Sequence, residues 1–143
     1  MSETSQLTVK KFAPDHVDER GTITNIINNE PVRSITITQS KKGSIRGNHF
    51  HKRSGKYVFV LDGKMELVVI ANETEVRQTL TAGSMVWIPK NMPHAFLAVE
   101  ESTALEIEPL NRDLTDAYRL DKPLIQTQKA LGGVVSSNVQ KSP

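Results

Sequence analysis

His49 and His51 stand two residues apart with Phe50 between them. On an extended strand, residues i and i+2 point to one face, so two imidazoles converge from a single strand. His94 follows on another predicted strand, after Pro89 and Pro93. Its ring joins the pair if the sheet closes on itself, as a small barrel does. Three neutral imidazoles bind Zn, Fe, Mn or Ni and leave positions open for water or substrate. The chain has no cysteine, which excludes a disulfide framework, a thiolate zinc site and a cysteine nucleophile. The same imidazoles suit proton transfer without a metal. The ordinary histidine pKa is close to what a general base needs to take a proton from a carbon beside a carbonyl.

Such a reaction benefits from a cation at the developing oxyanion, and Lys56 is the candidate. By strand alternation Lys56 shares a face with Val58 and Val60, opposite Tyr57, Phe59 and Leu61. If the first set lines a barrel, Lys56 points into its pocket. Arg46 is the phosphate candidate, because guanidinium grips phosphate with a two-pronged fork. Lys41, Lys42, Lys52 and Arg53 crowd the same segment and raise its potential toward an anion. Yet 18 basic residues against 16 acidic give only +2, too little to indicate nucleic acid. The expected partner is therefore a small anionic or sugar molecule. Trp87 is expected in the core or at a dimer contact, with stacking on a sugar or base as the alternative. His16 lies in a polar stretch and is expected on the surface. No phosphate-cradling glycine loop or nucleophile elbow occurs.

What must position these residues is a series of short strands. Runs rich in Val, Ile, Thr and aromatics predict strands over 7–12, 22–28, 32–39, 57–61, 65–71, 75–80, 85–88, 95–99 and 104–107. Asp62-Gly63 between two of them reads as a type I′ hairpin turn. Before about residue 110 no useful helical periodicity occurs; 111–120 reads as a short helix or an irregular arm. Many short strands in 143 residues predict one all-β domain, a sandwich or barrel. Residues 1–6 are expected to fray, 7–125 to form the barrel, and 126–143 to be a flexible tail. Val134 and Val135 of that tail could instead dock on a neighbouring subunit. The longest apolar runs are five residues, far from the roughly 20 of a membrane span. With no apolar leader near the start, the expectation is a cytoplasmic protein.

Two motifs carry a family resemblance. Gly43, His49, His51, Lys56 and Gly63 fall at the spacings of the first cupin motif, with Lys56 where that family has glutamate. Gly83, Pro89, Asn91 and His94 resemble the second motif, with Asn91 at a usual glycine and Ala98 at a frequent asparagine. The resemblance spans about residues 18–110. It implies a small double-stranded β-helix, the cupin or jelly-roll barrel, probed below. Asp18-Glu19-Arg20-Gly21 and Ile45-Arg46-Gly47-Asn48-His49 resemble, more narrowly, the cupins that act on nucleotide-linked sugars. These include dTDP-4-dehydrorhamnose 3,5-epimerases, dTDP-4-keto-6-deoxyhexose 3,4-ketoisomerases and capsular-polysaccharide cupins.

The resemblance implies His49 as base, His51 as proton relay, Arg46 as diphosphate anchor and Lys56 as enolate stabiliser; Arg20 and Trp87 are further candidate substrate contacts on their side-chain chemistry. The tyrosines of the epimerases and ketoisomerases have no match; the corresponding strand reads Ala104-Leu105-Glu106-Ile107-Glu108. If a metal is bound, the implied ligands are His49, His51 and His94, with Glu106 or Glu108 replacing the missing glutamate. The leading expectation is an isomerase or epimerase of a nucleotide-linked keto sugar in cell-surface polysaccharide synthesis, working as a homodimer. The rivals are a three-histidine metal-dependent dioxygenase or lyase, and a non-catalytic module that binds a small ligand.

Overall fold

A computed structural model describes residues 7–126, so the expectations for 1–6 and for the tail beyond Gln126 lie outside the described residues. Twelve strands follow in order: β1 (Thr8–Lys11), β2 (His16–Asp18), β3 (Gly21–Ile23), β4 (Ser34–Ser40), β5 (Ile45–Phe50), β6 (Lys56–Asp62), β7 (Lys64–Ala71), β8 (Thr74–Thr81), β9 (Ser84–Ile88), β10 (His94–Ala98), β11 (Ser102–Glu108) and β12 (Tyr118–Arg119). No helix occurs among the described residues. One antiparallel sheet has the order β1-β9-β6-β11-β4 and a second the order β12-β5-β10-β7-β8; β2 and β3 pair by themselves. From β4 to β7 and from β9 to β11, each successive strand crosses to the other sheet. That crossing closes the two sheets around a common interior.

Alternation supplies the core. Val58 and Val60 of β6, Leu67 and Val69 of β7, Val86 and Ile88 of β9, Phe96 of β10 and Ala104 of β11 form one buried cluster between the sheets. The neighbouring inward positions toward one end of the barrel are polar: Lys56 precedes Val58, Glu106 follows Ala104, and His94 precedes Phe96. One pleat therefore builds both the dry core and the polar site.

Two predicted elements take another form, and a third takes one of its two expected forms. The strand expected over 22–28 ends at Ile23, where the chain turns so that the Asn25 amide donates to the Asp15 carboxylate at 2.6 Å. Asp62-Gly63 is not a hairpin, since β6 and β7 lie in different sheets. It is a corner, with only Gly63 at positive φ (98°), and a Cβ on Gly63 would lie 2.3 Å from Ser102 Oγ. The type I′ geometry falls instead at Asn72-Glu73, with φ of 53° and 64°, between the paired strands β7 and β8. Finally, the stretch over 111–120 is an irregular arm, not a helix, and its last residues form β12 beside β5.

Candidate functional site

The first sequence feature to be explained is how Arg46 and His49 share a lumen. Strict alternation puts residues three apart on opposite faces. Here His94 pairs with His49, Ala95 with Gly47 and Phe96 with Arg46, so β5 carries one extra residue against β10. Gly47 (φ 94°) and Asn48 (φ 59°) form that bulge. Gly47 lies so close to β10 that a Cβ would sit 2.9 Å from the His94 carbonyl. The bulge turns Asn48 outward and leaves Arg46, His49 and His51 all facing a cavity of about 270 Å³. Lys56, Glu106, Glu108, Arg53 and Arg112 line it too. Beneath it, a crevice of about 20 Å³ reaches His94, Phe96 and Val58.

The three imidazoles meet there as the spacing predicts. Ring centroids are 4.6 Å apart for His49 and His51, 4.9 Å for His49 and His94, and 5.3 Å for His51 and His94. His94 Nδ1–H donates to the Met92 carbonyl at 3.0 Å, and His51 Nδ1–H donates to the Asp116 carbonyl. Those bonds leave Nε2 of both rings as a buried lone pair without a partner, and Nδ1 of His49 is buried without a partner too. All three rings are held neutral. Burial, then the charges of His51 and Lys56, push His49 down to about 3. Burial and Lys56 lower His51, and the same causes put the fully enclosed His94 well below its ordinary value.

Across the lumen, Lys56 Nζ donates to Glu106 Oε1 at 3.2 Å. Burial favours the neutral acid at Glu106, but Lys56, Arg112 and Thr38 outweigh it and hold the carboxyl below its ordinary value. Arg112 lies 3.5 Å from Glu106 and 3.7 Å from Glu108, where burial prevails and raises the carboxyl. Arg53 faces Asp113 at 4.0 Å. Arg46 differs from these cations. Its guanidinium donates to two neutral acceptors, Ser40 Oγ and the Gln39 carbonyl, each at 2.9 Å.

Two predicted contacts lie elsewhere. Arg20 sits in the turn between β2 and β3, paired with Asp18 at 2.6 Å, and does not line the histidine cavity. Trp87 alternates with the buried Val86 and Ile88, so it lies on the outer face of its sheet. There it packs against Tyr57 (4.7 Å between centroids) in a separate cavity of about 370 Å³. His16 is exposed and bonds Asp18 at 3.0 Å. Conversely, the sequence pattern singled out neither Arg112 nor Asp116 as a site residue. Both ride on the irregular arm, and only the long-range return of that arm brings them to the cavity mouth.

The closed two-sheet barrel, with polar groups at one end of an apolar lumen, is a jelly-roll of the small-barrel class. The chain belongs to the cupin family, whose model matches residues 24–119. No curated protein sequence matches it. Solved structures with the same fold include a 3′-monoepimerase from Streptomyces bikiniensis in complex with dTDP-quinovose (TM-score 0.76, 16% identity, 96% of this chain and 82% of that one). Others are dTDP-4-dehydrorhamnose 3,5-epimerase from Sulfolobus tokodaii (0.70, 21%, 96% and 89%) and a 3,4-ketoisomerase from Helicobacter canadensis (0.69, 19%, 79% and 90%). At these identities the likeness is one of fold.

Proposed function

We propose that this cupin is an isomerase or epimerase of a nucleotide-linked keto sugar, serving cell-surface polysaccharide synthesis in the cytoplasm as a homodimer. The observation that carries the reading is the convergence, on one cavity, of unpartnered imidazole nitrogens with Lys56 and Arg46. His49 takes the proton from the carbon beside the ketone. The C–H electron pair moves into the C–C bond as the carbonyl pair moves to oxygen, giving an enolate. Lys56 Nζ–H stabilises that oxygen in a desolvated setting. The enolate also offsets the Lys56 charge, one of the causes that depress the histidines, so proton uptake and oxyanion formation assist each other. His51 Nε2, a lone pair at rest, takes that proton from the protonated His49 and returns it to the enolate carbon, which leaves both rings neutral again and completes the rearrangement. Arg46, bound only to neutral groups, anchors the diphosphate at the mouth. The structural neighbours include a 3,4-ketoisomerase in complex with TDP-4-keto-6-deoxyglucose and a 3′-monoepimerase in complex with dTDP-quinovose, which supports the substrate class. Proton NMR of a dTDP-4-keto-6-deoxy sugar incubated with the protein tests the reading: a new isomer is expected, and an unchanged spectrum with the dTDP-, UDP- and GDP-linked series overturns it.

One observation favours a second reading. His49, His51 and His94 each hold a buried nitrogen without a partner, and their ligand atoms lie within 4.8 Å of one another. Two of the rings donate their other nitrogen to a backbone carbonyl, as metal-bound histidines usually do. These residues fit a single divalent cation such as Zn, Fe, Mn or Ni. Such an ion would polarise a bound carbonyl. Glu106 is held at Oε1 by Lys56 and Arg112, and at Oε2 by the Thr38 hydroxyl at 3.2 Å. Metal analysis of untreated protein with oxygen-uptake measurement separates the readings: stoichiometric iron with oxygen consumption favours a dioxygenase.

A further inference from the structure

His94 and His51 present the same kind of lone pair by different means. The carbonyl that fixes His94 belongs to Met92, two residues away in the same turn. The carbonyl that fixes His51 belongs to Asp116, 65 residues further along the chain, on the irregular arm. Whether His51 offers Nε2 as a lone pair or as N–H therefore depends on where the arm lies.

Arg53 ties the start of the arm at Asn111 and Arg112 ties it to Glu106 and Glu108, and two further fastenings hold it beside His51 and Asn48. The Asp116 carboxylate accepts the Lys52 amide at 2.9 Å and the Arg53 amide at 3.0 Å, the two backbone donors that follow His51. Further on, Tyr118 pairs with Phe50 and Arg119 with His49, and the Leu120 amide donates to the Asn48 carbonyl at 2.9 Å. The Asn48 side chain, turned outward by the bulge, accepts the Leu124 amide at 2.7 Å and the Ile125 amide at 3.2 Å. It donates to the Ile125 carbonyl at 3.0 Å. The near fastening thus closes a small ring: His51 bonds the Asp116 backbone, and the Asp116 side chain bonds the backbone just after His51.

We propose that Asp116 is the positioning residue of this site, its carboxylate locking the arm onto the chain after His51 so that its carbonyl holds His51 as the Nδ1–H tautomer with Nε2 free toward His49 and His94. The assignment stands whether the site moves protons or holds a cation, because both need that lone pair. A carboxylate across two amides makes stronger hydrogen bonds than a neutral acceptor, and one residue supplies both halves of the ring. The arm thereby does for His51 what a neighbouring turn does for His94.

Long-range ¹H–¹⁵N correlation of the imidazole nitrogens tests this on the whole protein. The wild type is expected to show His51 and His94 as Nδ1–H tautomers. In Asp116→Ala, the Nδ1–H to Nε2–H ratio of His51 should fall roughly fivefold, the size expected for one net hydrogen bond. His94 should not change in the same spectrum, which a general loosening of the barrel would not achieve. If Asp116→Ala does not fold, Asp116→Asn, which keeps the shape and one acceptor oxygen, should show a smaller shift in the same direction. An unchanged His51 tautomer in the folded variant, or an Nε2–H tautomer in the wild type, overturns the proposal. Because the readout needs no substrate, it fails or succeeds independently of the proposed reaction.

Discussion

Lys56 and Glu106 face each other inside the lumen, Nζ to Oε1 at 3.2 Å, from the adjacent strands β6 and β11. Lys56 occupies a position where the family pattern has glutamate, and Glu106 lies where an unmatched tyrosine strand was expected. Both side chains are nearly enclosed, at 11% and 16% exposure, so neither charge has ready recourse to water. Removing Lys56 leaves Glu106 with only the more exposed Arg112 at 3.5 Å and the Thr38 hydroxyl at 3.2 Å. Lys56→Met is expected to cost about 3 kcal/mol in urea unfolding, the lower end for a broken buried pair. Lys56→Met combined with Glu106→Gln should recover a substantial part of that loss. A double variant as unstable as the sum of the two singles would contradict the pairing.

The neutral histidines make the fold acid-sensitive. The unfolded chain takes up protons near the ordinary histidine value of 6.5, while folded His49 resists until about 3. His51 and His94 are shifted the same way. Their contribution is therefore complete above the ordinary value and is lost as pH falls toward the folded values. Each such histidine adds a slope of up to ~1.4 kcal/mol per pH unit in that window. The urea midpoint should drop clearly from pH 7 to pH 5, and equal midpoints would contradict the neutral cluster.

Two glycines of the first motif are needed for different reasons. Gly63 has φ of 98°, and a Cβ there would lie 2.3 Å from Ser102 Oγ and 2.5 Å from the Glu101 carbonyl. Gly43 has φ of 87° but open space around it. Gly43→Ala should cost about 1–2 kcal/mol, the left-handed backbone penalty alone. Gly63→Ala should cost clearly more, since backbone must also move. Thermal melts of the two variants check the order.

Much of this site could be read in the chain. The i, i+2 spacing of His49 and His51 put their rings together, and the pleat carried Lys56 inward with Val58 and Val60. The reading failed where local signals have two outcomes. Asp62-Gly63 has hairpin chemistry but serves a corner between sheets, because the pairing partner of β6 is set by the whole barrel. Alternation alone separates Arg46 from His49, and only the bulge at Gly47 and Asn48 reunites them. Trp87 was legible in principle, since Val86 and Ile88 take the inward positions, but its size suggested the core or a dimer contact first and sugar stacking second. Arg112 and Asp116 carry no local signal, as their place depends on an arm that crosses back over the mouth.

Asn48 offers a test of that arm from its far end. Its buried amide satisfies three backbone groups at Leu124 and Ile125. Asn48→Ala should lower stability by about 2–4 kcal/mol, from unsatisfied groups that cost about 1–3 kcal/mol each when buried and part of which water can reach. Amides of Leu120, Leu124 and Ile125 should lose hydrogen-exchange protection before those of β6 and β7. Uniform loss across the barrel would contradict a local clamp.

The proposed homodimer can be checked at the outer face of the first sheet, where Ile35, Ile37 and Leu61 are 63%, 66% and 54% exposed. Ile35→Glu with Ile37→Glu should shift sedimentation toward the monomer while leaving the melting temperature of the barrel nearly unchanged. An identical sedimentation coefficient would remove this face from the interface.

The central claim is proton transfer by His49 beside a ketone, and solvent isotope exchange tests it most directly. A dTDP-4-keto-6-deoxy sugar incubated with the protein in D₂O should gain deuterium at a carbon adjacent to the carbonyl, read by mass spectrometry. His49→Asn should slow that exchange at least a hundredfold, within the usual range for loss of a general base. Exchange no faster than the protein-free control, or undiminished exchange in His49→Asn, would contradict the account.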